Sequence, residues 1–122
     1  MKSLDKNRRW ELKEAYKQMK TYMGIYQIKN DKSGKIYIDS FPNLKNKWLT
    51  IKMQLETGRH ANSQLQKDWN ELGADFFTYE VLEEKEKEEG MDARWELKKM
   101  KEAWLEKLKP YGENGYNKPP KD

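Results

Sequence analysis

Residues 24–40, GIYQIKNDKSGKIYIDS, decide the fold. Ile25, Gln27 and Lys29 alternate with Tyr26, Ile28 and Asn30, and Ile36 and Ile38 alternate with Lys35, Tyr37 and Asp39. Successive side chains of a strand point to opposite faces, so period-two alternation rich in β-branched and aromatic residues marks two strands. Between them, Asn30-Asp31-Lys32-Ser33-Gly34 has turn chemistry. Asn, Asp and Ser side chains bond nearby backbone groups, and glycine accepts a positive φ. The stretch therefore predicts a β-hairpin with one tyrosine on each strand, Tyr26 and Tyr37. Taken alone, both read as good strand formers on a half-buried sheet.

Working outward, the flanks are helical. Before the hairpin, Ser3 to Tyr22 predicts a basic amphipathic helix: Leu12, Ala15, Tyr16 and Met19 share one face, ringed by lysines and arginines. After it, Phe41-Pro42 breaks the strand, Asn43 is placed to cap, and a helix is expected to about Thr57, with Leu44, Trp48, Ile51 and Leu55 inward. Gly58 ends it. A shorter helix follows from Asn62 or Ser63 to Gly73, with Leu65, Trp69 and Leu72 inward. Asp75 to Glu83 alternates as a third strand, and Glu83 to Gly90 is a charge run expected to be a solvated loop or helix end. The last helix, about Asp92 to Lys107, buries Leu97, Met100, Trp104, Leu105 and Leu108. Lys101 lies in that stripe, four residues after Leu97 and four before Leu105. An unpaired buried ammonium is costly, so Lys101 has to snorkel, meet a carboxylate or face a cavity. Pro110 stops the helix, and residues 118–122 form a short polar tail expected to be disordered.

The 122 residues predict a single domain, 35% hydrophobic and 38% charged, whose core rests on five Trp, seven Tyr and three Phe. The absence of cysteine excludes disulfides and thiolate chemistry and suits a cytoplasmic protein. No apolar run approaches membrane-spanning length, so no membrane partner is expected. The net charge of +4 is unevenly spread: residues 1–22 and 23–60 each carry +4, residues 61–92 carry −7, and residues 93–122 carry +3. A basic half of this kind can track phosphates while the acidic block faces away.

Gly24-Ile25-Tyr26 followed by Tyr37-Ile38-Asp39 resembles the signature of the GIY-YIG nucleases, with Asp39 in place of the last glycine. Further stretches continue the resemblance as far as Asn117: Asn43 to Trp48 as a basic helix, Gly58-Arg59-His60, Leu65-Gln66, and Gly115-Tyr116-Asn117 as a closing motif. The resemblance implies an α/β fold of α+β type, a small, mostly antiparallel three-stranded sheet flanked by helices. The basic helix of residues 1–22 is then an addition, and residues 23–117 are the nuclease-like domain. It also implies cleavage of DNA phosphodiesters with one divalent metal. By that resemblance Tyr26, Tyr37, Lys47, His60 and Asn117 occupy catalytic positions. Lys47 stands where an arginine is expected, and Lys101 where a metal-binding glutamate is expected.

The substitutions differ in consequence. Lysine keeps the charge of arginine but loses its bidentate fork. Lys101 replaces an anionic oxygen ligand with a cation, and a protonated ammonium cannot hold Mg. Glu102, one residue on, is rotated about 100° around the helix. The expectation is accordingly a nuclease-like domain that is inactive or very weak, retaining DNA binding through Lys45, Lys47, Lys52, Arg59 and Lys101. No cofactor is expected. Two other readings stay open: an active endonuclease using Mg or Mn at a remodelled site built on Asp39 or Glu102, and a protein-interaction module using only the scaffold, with no partner indicated. Asp39 and Lys101 together suggest a structural ion pair, with Lys47 as the other available cation.

Overall fold

A computed structural model describes residues 20–119. Strand β1, Tyr22–Asn30, pairs antiparallel with β2, Ile36–Phe41, on one side and with β3, Phe77–Glu86, on the other. The sheet order is β2-β1-β3. Helices α1 (Lys47–Glu56), α2 (Ser63–Leu72) and α3 (Ala93–Leu108) flank it. This is the expected α/β architecture, a three-stranded antiparallel sheet covered by helices. The helix expected over residues 3–22 lies outside the described residues except at its end, where Tyr22 already belongs to β1. Pro120 to Asp122 of the expected tail also lie outside them.

The hairpin closes as its sequence directs. Asn30 Oδ1 accepts the backbone N–H groups of Lys32 and Ser33 at 3.0 and 3.2 Å, and Gly34 takes φ 82°. The central strand is covered on both faces, so Met23, Ile25, Tyr26 and Ile28 are all buried. Alternation sorts them. Tyr26 and Ile28 pack with Ile51 and Leu55 of α1 and Leu65 and Trp69 of α2, while Ile25 packs with Ile38 and Met100 of α3. Each aliphatic side chain so buried contributes about 1.5–3 kcal/mol of transfer free energy. Gly24 pairs with Glu84 just before the β1–β3 register shifts between Ile25 and Tyr26, and a Cβ there would collide with the Glu83 carbonyl and the Leu44 side chain. The first signature glycine is therefore required by the close approach of two backbones.

Three boundaries differ from expectation. Helix α1 starts at Lys47, not beside Asn43. The Asn43 carboxamide is used locally, accepting the Lys45 N–H at 3.0 Å, and the chain enters the helix through Asn46 at φ 57°. Asparagine is one of the few side chains that visits this left-handed region readily. The charge run is not all loop: β3 continues to Glu86, and its acidic residues pair through their backbones with Tyr22–Ile25 while their side chains stay largely in solvent. Backbone pairing is blind to side-chain charge on an exposed face, which is why composition misplaced this end. Finally, the closing turn is more than a turn. Gly115 bridges Ile36 in parallel, and the Tyr116 N–H donates to the Ile36 carbonyl at 2.9 Å, so the segment lies along the outer edge of β2.

Candidate active-site cleft

Tyr26 and Asp39 are direct neighbours across β1 and β2, and opposed residues share a face of the sheet. Tyr37, two residues before Asp39, lies on that face too. The Asp39 carboxylate is the hub. Its Oδ1 accepts the Ser40 N–H at 2.8 Å and the Lys101 ammonium at 3.1 Å, and its Oδ2 accepts the Tyr37 hydroxyl at 3.1 Å. Lys101 arrives from α3, which covers the opposite face, so it meets Asp39 past the edge strand β2. Of the two lysines available to pair with Asp39, Lys101 makes the contact. Its position in an apolar stripe is thereby explained: the stem packs along the helix and the head finds a carboxylate.

Lys47 opens α1 and is only 9% exposed, with Nζ 3.4 Å from the centre of the Phe41 ring. Burial lowers its pKa, and the nearby Asp39 charge opposes that shift. A cation held on an aromatic face recovers part of its lost hydration from the ring quadrupole. His60 packs edge-on against Tyr37, ring centres 5.3 Å apart. Its Nδ1 accepts the Asn62 N–H at 3.0 Å, and burial pulls its pKa below the ordinary histidine value. The neutral ring therefore carries its proton on Nε2. Burial, then the charge of Asp39, pushes the phenols of Tyr26 and Tyr37 well above the ordinary tyrosine range. Both are hydrogen-bond donors at neutral pH.

Asn117 meets β2 at Ile38, between Tyr37 and Asp39. Its carboxamide donates Nδ2–H to the Ile38 carbonyl at 2.7 Å and accepts the Ile38 N–H at 2.9 Å. Both of its functional atoms are spent on the outer edge of β2. Lys45 and Arg59 are exposed, and Lys52 lies over the Trp48 ring at 5.8 Å. Among the described residues these three make no hydrogen bond or ion pair to the cluster. Glu102 is likewise exposed.

Two supports were not legible as site residues. Gln66 accepts the His60 N–H at 3.1 Å and donates to the Leu55 carbonyl at 2.7 Å, fixing the loop that presents the histidine. Tyr116 is buried, donates to Asp68 at 2.6 Å and accepts from Asn30 at 3.0 Å. Burial and the Asp68 bond push its pKa up to about 12. This bridge ties the hairpin turn to α2. The sequence signal for both was their place in stretches of the family resemblance, Leu65-Gln66 and Gly115-Tyr116-Asn117, which assigned neither a role.

No family model matches the chain. The structure is similar to the catalytic domain of the intron endonuclease I-TevI in a glutamate-to-alanine variant. The TM-score is 0.65 at 32% identity, over 81% of this chain and 93% of that one. The chain belongs to the GIY-YIG nuclease family. A second structure, the catalytic domain of homing endonuclease I-TevI, gives a TM-score of 0.64 at 28% identity, over 80% of this chain and 99% of that one. A curated relative, intron-associated endonuclease 1 of Enterobacteria phage T4, is 38% identical over 61 residues. That match takes in 50% of this chain and spans 24% of the relative's length.

Membership of the GIY-YIG family raises the question of a divalent metal, and the donor set does not fit one. Mg is ordinarily held by one or two carboxylates, with waters and substrate phosphates completing its shell, so the question turns on a free carboxylate. Among the described residues no group of three or more histidine, aspartate or glutamate side chains is placed to hold an ion. The one carboxylate in the GIY-YIG cleft, Asp39, has both oxygens engaged, one of them by an ammonium. A metal ion at Asp39 would have to displace Lys101 and would meet its charge. Of the two carboxylates considered as relocated ligands, Asp39 is thus occupied and Glu102 points into solvent.

Proposed function

We propose that this GIY-YIG domain binds DNA phosphates and hydrolyses them very weakly or not at all. The observation that supports the reading is the Lys101–Asp39 contact at 3.1 Å, a cation on the carboxylate where the family resemblance expects a metal-binding glutamate. Hydrolysis needs a stabilised phosphorane and leaving group, and a metal ion on a carboxylate ordinarily supplies much of that. What remains is binding chemistry. Lys47 and Lys101 supply positive charge, and the protonated phenols of Tyr26 and Tyr37 and the Nε2–H of His60 supply donors for phosphate oxygens. The named relatives are endonucleases, which supports nucleic acid as the ligand class. In the same reading residues 23–117 are the nuclease-like unit and residues 1–22 an added basic element. No helix among the described residues is long and apolar enough to cross a membrane, and a cysteine-free chain fits the cytoplasm.

Plasmid cleavage tests the proposal. The wild type, Tyr26→Phe and Lys101→Glu are incubated with supercoiled DNA in Mg, in Mn and in EDTA. We expect no nicking by the wild type in any of the three, and metal-dependent nicking by Lys101→Glu. Metal-dependent cutting by the wild type that Tyr26→Phe abolishes would overturn the reading.

A further inference from the structure

Helix α3 carries more positive charge toward the cleft than Lys101 alone. Arg94, Lys98 and Lys101 follow at spacings of four and three, so they line one face of the helix. That face borders a groove of about 530 Å³ between α3 and the end of β2. Leu97, Ala93 and Pro42 give it apolar lining, and Ser40 lines it from β2. Arg94 and Lys98 are exposed, and among the described residues neither has a carboxylate within ion-pair distance. Asp92 caps the helix through the Trp95 N–H, Glu96 pairs with Lys85, and Glu102, four residues after Lys98, forms no ion pair with it. Two unneutralised cations beside this apolar lining therefore remain facing solvent. The groove ends at Lys101, whose ammonium lies on Asp39.

We propose that this groove is a second nucleic-acid subsite, seating the sugar-phosphate backbone of one strand and leading it into the Tyr37–Asp39–Lys47 cleft. The inference rests on the reading of the domain as a DNA-binding one and names the path the strand takes. Seven residues of helix span about 10.5 Å. That matches the axial rise of about three nucleotides of one strand, at roughly 3.4 Å each. Phosphates would meet Arg94 and Lys98, with the arginine fork suited to two oxygens at once. The deoxyribose would cover Leu97 and Pro42. An acidic peptide would satisfy the charges too, but the groove ends at Lys101, whose ammonium lies on Asp39 in the cluster that holds the phenolic donor Tyr37, which favours a continuous phosphodiester.

Fluorescence anisotropy with a labelled mixed-sequence 20-base-pair duplex, titrated across a salt series, tests it. The wild type is compared with Arg94→Gln/Lys98→Gln and with Lys99→Gln/Lys107→Gln, which removes the same charge from other positions on α3. The groove variant is expected to bind at least about tenfold more weakly at low salt. Its plot of log affinity against log salt should be flatter by nearly two phosphate equivalents, each about 0.9. The control variant should keep the wild-type slope. Equal losses in the two variants would reduce the effect to net charge and overturn the subsite, as would an unchanged groove variant beside a binding wild type. A wild type that binds no duplex at any salt would overturn both the subsite and the functional reading. Unchanged melting temperatures of the variants confirm that folding is intact.

Discussion

Lys101 shows how one side chain can be read correctly in part. Its place in an apolar stripe signalled that its charge needed a partner, and Asp39 was legible as the complementary departure from the family signature. The contact is a partly exposed pair, with both side chains about a third accessible, so it is worth on the order of 1 kcal/mol or less. Its larger effect is on chemistry. Lys101→Glu would place two carboxylates side by side with no cation between them, which is unfavourable until a divalent ion arrives. We expect this variant to melt below the wild type in EDTA and to gain stability as Mn is added, by about 2.7 kcal/mol at a hundredfold excess over its dissociation constant. The wild type should show no such response. A thermal-shift titration reads both, and a Mn response equal in the two proteins would contradict the account. Asn117 was less legible. The family position suggested chemistry, while the observed carboxamide serves the backbone of Ile38. A sequence gives the identity of an amide but not which of many backbone groups it meets.

At the scale of elements, periodicity carried most of the information. Both hairpin strands, α2 and α3 follow from alternation and helical spacing, and the structure adds the caps of the two helices, Asn62 and Asp92. What failed was governed by backbone geometry without a side-chain signature: the left-handed entry at Asn46 and the extension of β3 into a glutamate run. The segment Gly115 to Asn117 belongs to the same class, because it joins the sheet through one bridge, one backbone bond and the side chains of Tyr116 and Asn117. It is also where an element can be tested singly. Asn117→Ala removes both bonds to Ile38 and leaves that strand's N–H and C=O without their partner, a loss of about 1–3 kcal/mol. Gly115→Ala should be at least as damaging, since a methyl there would strike the carbonyls of Pro110 and Ile36, both backbone atoms. Urea melts of the two variants measure this. If both midpoints match the wild type, the segment does not brace the sheet.

Across the whole molecule, the sheet is a store of protonated phenols. Tyr26, Tyr37, Tyr79 and Tyr116 all have pKa values raised above the ordinary value near 10, chiefly by burial. Below pH 10 both folded and unfolded chains keep these protons, and the shifts have no effect on stability. Above it the unfolded chain releases them first, so folding stability falls as pH rises. The lowered pKa of Lys47 acts the other way, but among the described residues it is one group against four. We expect the melting temperature to drop steeply between about pH 10 and 11, and less steeply in Tyr26→Phe, which removes one of the groups. Parallel curves for the two proteins would show that Tyr26 ionises as freely folded as unfolded. One more consequence comes from the order in which the chain is made. The amide of Asn117 binds Ile38 across 79 residues. A ribosome adding roughly 5–20 residues per second therefore releases β2 some 4–16 s before the residue that closes its outer edge. Until residues 115–117 emerge, the nascent hairpin carries the outer edge of β2 unpaired.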